Sequence, residues 1–216
     1  IKGQNWGFPT YNWSKMQEDG FTWWKQRFGQ MSAYFDAFRI DHILGFFRIW
    51  SIPWKSVEGI MGHFEPAIPV IQSEFQQRNI WFEYYRYTRP FINDNILLDK
   101  MGDLTNKVRN TFLDPTGFGQ YTFKEDFDTQ RKIETWFAQQ EKNEENDLIR
   151  QGLYDLQSNV ILFEIEGSNR QQFHFRFGME TTSSFQDLEW STQQGLKELY
   201  VNYFFRRQDQ FWMKEA

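Results

Sequence analysis

The sequence predicts an α/β fold, part of a (β/α)8 (TIM) barrel that is interrupted by a long, mainly helical insertion. Residues 21–35 place apolar side chains three and four positions apart, which is the stripe of an amphipathic helix. Residues 37–41 follow as a short apolar run, typical of a buried strand in a parallel sheet. Residues 123–157 are charged and glutamine-rich, with apolar side chains at helical spacing. A helix, a strand and a long helical excursion in this order are typical of a barrel with an insertion in one loop.

The other segments are assigned from apolar spacing and from the positions of glycine and proline. Helices are predicted at 54–62, 71–89 and 195–211, together with one or two helices in 123–157 that have a break near 143–146. A strand is predicted at 159–166. The remaining segments are an aromatic-anchored loop at 3–13, loops broken by proline at 64–69 and 90–95, and a turn at 114–121. We group the chain into a barrel segment with the candidate site strand and loop at 1–53, a mainly helical insertion at 54–157, and a strand and helix returning to the barrel at 158–216. Periodicity alone is also compatible with a helical domain that carries two isolated strands. Because the chain starts without an initiator methionine and stops within a predicted helix, we interpret it as an internal piece of a longer protein.

The charge and the cysteine count restrict the classes of partner. Lysine and arginine number 24 against 29 aspartates and glutamates, a formal net charge of -5, which repels phosphate backbones and anionic lipids. Nucleic acid and membrane surfaces are therefore not expected partners, and no apolar run approaches the ~20 residues that a bilayer-spanning helix needs. The absence of cysteine excludes disulfides and thiolate metal sites and fits a cytoplasmic location. His63 and His174 have no ligand-like spacing, so no metal or organic cofactor is predicted.

Aromatic residues are unusually frequent. Phe, Trp and Tyr number 24, 10 and 9 and make up 20% of a chain whose mean hydropathy is -0.72. Aromatic rings stack on the apolar faces of sugar rings, while polar neighbours bond the hydroxyl groups. Most of these rings are expected to fill the core, as large aromatic side chains usually do. The composition therefore favours a carbohydrate site only slightly.

The densest group of candidate functional residues lies at the end of the predicted strand, from Phe38 to His42. Side chains alternate along a strand, so Arg39 and Asp41 share one face and Ile40 points to the other. If Ile40 packs under the outer helices, the pair lines the barrel interior at the rim where barrel enzymes keep their catalytic residues. The guanidinium would favour the ionised carboxylate, which is the form that attack on a sugar C1 requires. An ion pair that only closes the strand end explains the same residues.

The chain strongly resembles the 4-α-glucanotransferases of glycoside hydrolase family 77, also called amylomaltases or disproportionating enzymes. Three motifs carry the resemblance in the same order: GQNWGFPTYNW at 3–13, FTWWKQRFGQM at 21–31 and FRIDHILGFFRIW at 38–50. Two later segments, FHFRFGMETTSSFQDL at 173–188 and YFFRRQDQFW at 203–212, resemble the longer subtype that includes the cytosolic plant enzyme, in which a helical insertion interrupts the barrel. The resemblance implies transfer of α-1,4-glucan segments or glucosyl units between glucans, with malto-oligosaccharides as partners, in starch, glycogen and maltose metabolism.

The resemblance also implies roles for individual residues. Asp41 matches the nucleophile that forms a covalent glucosyl–enzyme intermediate, and Arg39 matches the arginine that orients it. His42 matches the histidine that binds the sugar next to the scissile bond. The further substrate-binding residues that the resemblance implies are Asn5, Trp6, Tyr11 and Trp50.

Two signatures of the family are missing from the chain. One is the acidic segment of the type Gly/Ala-Glu-Asp-Leu-Gly that supplies the acid/base glutamate, and the other is the His-Asp pair that supplies a transition-state-stabilising aspartate. We expect both beyond Ala216, so the isolated chain is predicted to be inactive. Glu166 is no substitute, because the residues after it do not match the acid/base segment. Two other functions stay open: an α-glucan hydrolase on a related barrel, and a non-catalytic α-glucan-binding module.

Overall fold

Helices make up most of the regular structure of the chain. The computed structural model describes residues 2–3, 5–41, 45 and 48–207. The α-helices found in these residues are, in chain order, α1 (Trp13–Glu18), α2 (Thr22–Ser32), α3 (Gln72–Gln76), α4 (Tyr84–Thr88), α5 (Asp94–Met101), α6 (Thr105–Phe112), α7 (Gln130–Phe137), α8 (Glu144–Gln157), α9 (Ser183–Gln186) and α10 (Trp190–Val201). Short 3-10 turns lie at Gly59–Met61, Gly102–Leu104, Glu125–Phe127 and Met179–Thr181, and a π-helical segment at Asn202–Arg207 follows α10.

The strands are short and form three small sheets. They are β1 (Ile49–Ser51), β2 (His63–Glu65), β3 (Val70–Ile71), β4 (Ile92–Asn93), β5 (Leu113–Gly117), β6 (Gln120–Phe123), β7 (Leu162–Glu164) and β8 (Gln172–Phe175). β1 pairs with β2, and the two three-stranded sheets have the orders β3-β8-β7 and β4-β6-β5. Both three-stranded sheets are antiparallel throughout. The chain thus mixes helices and strands as predicted, whereas a parallel barrel sheet is not formed by the residues that the structure describes.

The chain divides into two units. The larger unit comprises residues 1–5, 52–63 and 67–216, and the smaller unit comprises residues 6–51 and 64–66. Every described residue that is buried lies in the larger unit, and no described residue of the smaller unit is buried. Of the residues that the structure describes, only those of the larger unit therefore form a hydrophobic core.

The core of the larger unit confirms the helical prediction for 123–157. This segment contains α7 and α8, and α8 begins where the Asn143 side chain accepts a hydrogen bond from the Asn146 amide at 2.8 Å. Such a cap satisfies an amide at the start of a helix that has no partner within the helix. The apolar stripes of the two helices bury Ile133, Phe137, Ile149, Leu153 and Leu156 against α5, α6 and the β5–β6 hairpin.

Several other local predictions were wrong in part. Residues 54–62 contain only one 3-10 turn, and 71–89 is not a single helix but the separate helices α3 and α4. The turn predicted at 114–121 is the centre of a hairpin, because β5 and β6 pair on either side of it. The predicted strand at 159–166 is confined to β7. The helix predicted at 195–211 begins earlier, at Trp190, and becomes π-helical over Asn202–Arg207, and the prediction for 208–211 lies outside the described residues.

No helix in the described part of the chain is long and apolar enough to cross a membrane.

A buried glutamine joins α7 to the segment before β2. The Oε1 atom of Gln130 accepts hydrogen bonds from the amides of Val57 and Glu58 at 2.9 and 3.0 Å. Its Nε2 donates to Glu58 at 3.2 Å, and the side chain is only 1% exposed. Buried amides without a partner cost free energy, so this one side chain fixes a loop that has little regular structure.

Replacing Gln130 with methionine tests this role. Gln130→Met keeps the length of the side chain but removes the acceptor, so we expect the free energy of unfolding to fall by about 2 kcal/mol. Urea unfolding followed by tryptophan fluorescence measures the change. Gln139→Met is the matched control, because Gln139 is exposed, and it should change the value by less than about 0.5 kcal/mol. Equal losses in the two variants would contradict the bridging role.

Candidate functional site

The segment that carries Arg39 and Asp41 is not a strand. Residues 37–41 have no strand pairing, and Ile40, which was predicted to be packed, is 39% exposed. The prediction of a buried parallel strand was therefore wrong for this chain. A parallel strand is held by hydrogen bonds to neighbouring strands, and no described residue of the chain supplies them here.

Arg39 and Asp41 nevertheless lie next to each other. Arg39 Nη2 and Asp41 Oδ1 are 3.6 Å apart, and the two side chains are 90% and 73% exposed. The pair is thus an ion pair at the surface of the smaller unit, not a pair that this unit encloses in a cleft. An ion pair with this exposure contributes little to stability, so stability does not explain why the two charges are adjacent.

A ladder of aromatic rings leads from Tyr11 toward this segment. Tyr11 and Trp24 have ring centroids 5.3 Å apart, Trp24 and Phe28 are 5.4 Å apart, and Phe28 and Phe38 are 5.0 Å apart. Trp24 and Phe28 are four positions apart on α2, so they lie on one face of that helix, as the apolar stripe predicted. The ladder joins the first and third motifs of the chain, and it ends three residues before Asp41.

The remaining predicted site residues fall in different places. Trp6 is 72% exposed and makes an edge contact with Phe8 at 6.2 Å. Trp50 lies on β1, half-buried, with its ring edge against Phe64 at 4.8 Å. Asn5 belongs to the larger unit, where its Nδ2 donates to the Ser56 carbonyl at 3.5 Å. The prediction for His42 lies outside the described residues.

Sequence reasoning missed a pair of stacked histidines in the larger unit. The rings of His63 and His174 are 4.1 Å apart and nearly parallel, at 9°. His174 is buried on β8, and its Nδ1 shares a hydrogen bond of 2.8 Å with the Tyr203 hydroxyl. Burial, with a smaller contribution from His63, lowers the pKa of His174 to about 3. The ring is therefore neutral at physiological pH.

Spacing along the chain gave no signal for this pair, because β2 and β8 lie far apart in the sequence. Among the described residues no group of three or more histidine, cysteine, aspartate or glutamate side chains has the geometry to hold a metal ion.

Comparison with known proteins identifies the family. The profile of the 4-alpha-glucanotransferase family, glycoside hydrolase family 77, matches residues 1–216. The chain belongs to this family. The 4-alpha-glucanotransferase DPE2 of rice (Oryza sativa subsp. japonica) is 40% identical over 218 aligned positions, which cover 99% of this chain and 23% of the rice protein. The chain therefore spans about a quarter of the length of this family member.

Shorter matches link the chain to other members of the 4-alpha-glucanotransferase family. The chloroplastic/amyloplastic 4-alpha-glucanotransferase of potato (Solanum tuberosum) is 40% identical over 76 residues, 34% of this chain and 13% of the potato protein. The 4-alpha-glucanotransferase of Aquifex aeolicus is 37% identical over 65 residues, 30% of this chain and 13% of the bacterial protein. No solved structure matches the chain.

Proposed function

We propose that the protein containing this chain is a 4-α-glucanotransferase that transfers α-1,4-glucan segments or glucosyl units between glucans, and that Asp41 is its nucleophile. The family match over the whole chain is the observation that carries the proposal. The name of the rice relative, which aligns with 99% of the chain, supports the same activity. The adjacent guanidinium of Arg39 supports the role of Asp41, because it would orient the carboxylate and favour its charged form.

The reaction would be a retaining double displacement. The Asp41 carboxylate attacks C1 of the donor glucan, and an acid supplied from outside this chain protonates the leaving glycosidic oxygen. In retaining enzymes these two carboxyl groups stand ~5–5.5 Å apart. A hydroxyl group of an acceptor glucan, rather than water, then attacks C1 and releases the Asp41 ester. The sugar units of the glucan substrates are proposed to be bound by His42, Asn5, Trp6, Tyr11 and Trp50.

We further propose that residues 1–53 and 158–216 contribute to a (β/α)8 barrel and that 54–157 is an insertion into it. Among the described residues of the smaller unit none is buried, and its rings at Trp6, Phe8 and Tyr11 are exposed. A unit without a core needs further chain to cover its apolar side chains. Completion by the rest of a longer protein would supply both the neighbouring strands for 37–41 and the walls of a cleft around Asp41. The cysteine-free composition supports a cytoplasmic location.

Product analysis of the full-length protein tests the activity. A transferase converts maltotriose into a ladder of longer and shorter malto-oligosaccharides together with glucose. An α-glucan hydrolase yields only shorter products, and a binding module yields none. Chromatography of the products over time separates the three outcomes, and a failure to form maltopentaose or longer products would overturn the proposal.

The isolated chain of 216 residues is expected to be inactive. It would hold the nucleophile but not the acid/base glutamate, and without protonation of the leaving oxygen the first step is slow. We expect no glucose above the buffer control when purified chain is incubated with maltotriose. Release of glucose by the chain alone would show that its own residues supply the acid.

A further inference from the structure

Three adjoining cavities of the larger unit share lining residues and form one groove. Their volumes are about 540, 700 and 520 Å³, each within the range of small-molecule sites, and Asp128 lines all three. The middle cavity shares Thr88, Gln157 and further residues with one neighbour, and Trp54 and Thr129 with the other. The two outer cavities have only Asp128 in common, so the middle cavity is the one that connects them. We call the three connected cavities the Asp128 groove.

Aromatic side chains are spread along the groove. Trp54 is 76% exposed and lines both the middle cavity and one end cavity. Tyr84 lines the middle cavity, and Trp136 lines the end cavity beside Trp54. Large aromatic side chains are usually buried, because burial removes much apolar surface from water. An exposed indole is therefore often a contact residue for a ligand. Several aromatic faces along connected cavities suit a ligand with more than one apolar face.

Polar groups with unused bonding capacity accompany the rings. Gln157 is 5% exposed, and its Nε2 donates to the Phe127 carbonyl at 2.9 Å. Its Oε1 accepts no hydrogen bond from the residues that the structure describes, although it lies in the wall of two of the cavities. The guanidinium of Arg89 lies over the Tyr85 ring at 4.2 Å and makes no salt bridge to any described residue. In the described part of the chain, an amide oxygen without a partner and a guanidinium without a salt bridge line the same two cavities. Both suit hydroxyl groups, which donate and accept hydrogen bonds.

The charges along the groove exclude a polyanion. Carboxylates at Glu125, Asp126, Asp128, Glu164 and Glu166 are interspersed with the basic residues Lys55, Arg89, Arg131 and Lys132. Single-stranded nucleic acids need a continuous positive groove, which this mixture does not provide. A neutral chain of sugar units can contact all of these groups, because its apolar faces stack on rings and its hydroxyl groups bond carboxylates, amides and guanidinium groups.

We propose that the Asp128 groove binds a linear malto-oligosaccharide, with Trp54 stacking on a glucose ring between the middle and the end cavity. The identity of the sugar rests on the proposed function, whereas the existence and the length of the groove do not. All of its lining residues belong to the larger unit. The predicted insertion would then contribute a binding surface for the glucan rather than only a spacer.

Binding measurements on the full-length protein test this site. Asp41→Asn is included as a background change, so that turnover does not consume the ligand. Maltoheptaose is titrated by isothermal calorimetry into this variant alone, and into versions that also carry Trp54→Ala or Trp190→Ala. Trp190 is 75% exposed and lies outside the groove, so it is the matched control. Removing Trp54 is expected to raise the dissociation constant at least about tenfold or to abolish one bound equivalent, whereas removing Trp190 changes neither.

Further variants separate folding from binding. Trp54→Tyr keeps a stacking ring and should restore most of the affinity lost in Trp54→Ala, which a merely unfolded groove would not allow. Trp54→Ala could leave the affinity and the stoichiometry unchanged while the protein that retains Asp41 transfers glucan normally. That result would overturn the proposed binding site in the groove but not the proposed function. Absence of both transfer and maltoheptaose binding in the unsubstituted protein would overturn the proposed function. If the protein bound cellohexaose in a Trp54-dependent way and did not bind maltoheptaose, the proposal that the groove binds an α-linked glucan would be wrong.

Discussion

Glucan transfer by the full-length protein should fall by at least about a thousandfold when Asp41 is replaced by asparagine, the scale of loss seen when one member of a covalent catalytic machinery is removed. The amide has the same shape as the carboxylate but is too weak a nucleophile to form the glycosyl ester. The substitution keeps the size and shape of the side chain, so the fold should be retained. The rate is measured as glucose released from maltotriose.

A neighbouring aspartate provides the control for this prediction. Asp36 is also exposed and lies in the same irregular segment, and Asp36→Asn removes the same charge from it. Its rate should stay within about twofold of the unsubstituted protein, since a long-range charge effect at an exposed site is screened by salt. Normal turnover in Asp41→Asn, or an equal loss in both variants, would remove Asp41 from its assigned role.

Acid should destabilise the larger unit through His174. The pKa of this side chain is about 3 in the folded chain and 6.5 in the unfolded chain, so between these values only the unfolded chain takes up the proton. The contribution of neutral His174 to the free energy of unfolding is therefore fully present well above pH 6.5, and it is lost as the pH falls toward 3. Between pH 7 and pH 4 the loss from this one group is expected to be about 3 kcal/mol. Urea unfolding at a series of pH values measures it.

The comparison with His174→Asn isolates this contribution. Asparagine does not titrate, and its amide can still bond the Tyr203 hydroxyl that His174 Nδ1 contacts. We expect the stability of the variant to decrease with acid by about 3 kcal/mol less than that of the unsubstituted chain over the same interval, whatever its stability at pH 7. Carboxylates titrate in both proteins and cancel in the difference. Parallel pH profiles for the two proteins would show that His174 is protonated in the folded state as readily as in the unfolded state.

The helices were predicted best where local signals act alone. α2, α7 and α8 are marked by an apolar stripe, and α7 and α8 also have a side-chain cap at the first turn. The hairpin of β5 and β6 was predicted only as a turn. Gly117 and Gly119 have φ of 103° and 69°, so the reversal is visible in the sequence, but the strand before it contains an aspartate and a proline. Such residues are rare in strands and concealed the pairing.

The candidate site was predictable in composition but not in arrangement. The motif around Asp41 and its arginine is evident in the sequence, and the two charges do lie next to each other. The strand expected there depends on partners that come from elsewhere in a sheet, which no local pattern reports. The histidine pair and the Asp128 groove depend in the same way on contacts between distant segments. His63 contacts His174, and Trp54 shares a cavity with Glu164, so no window along the chain contains either arrangement.

The pairing of β3 with β8 brings together the two ends of the long segment between them. Val70 lies opposite Phe173, and Ile71 lies opposite Gln172, so the chain leaves one strand and re-enters the adjacent strand about a hundred residues later. The two junctions are thus one inter-strand distance apart, ~4.8 Å. The ends of residues 72–171 therefore lie beside each other in the larger unit. This stretch is offset from the predicted insertion at 54–157, and it includes β7, the second neighbour of β8.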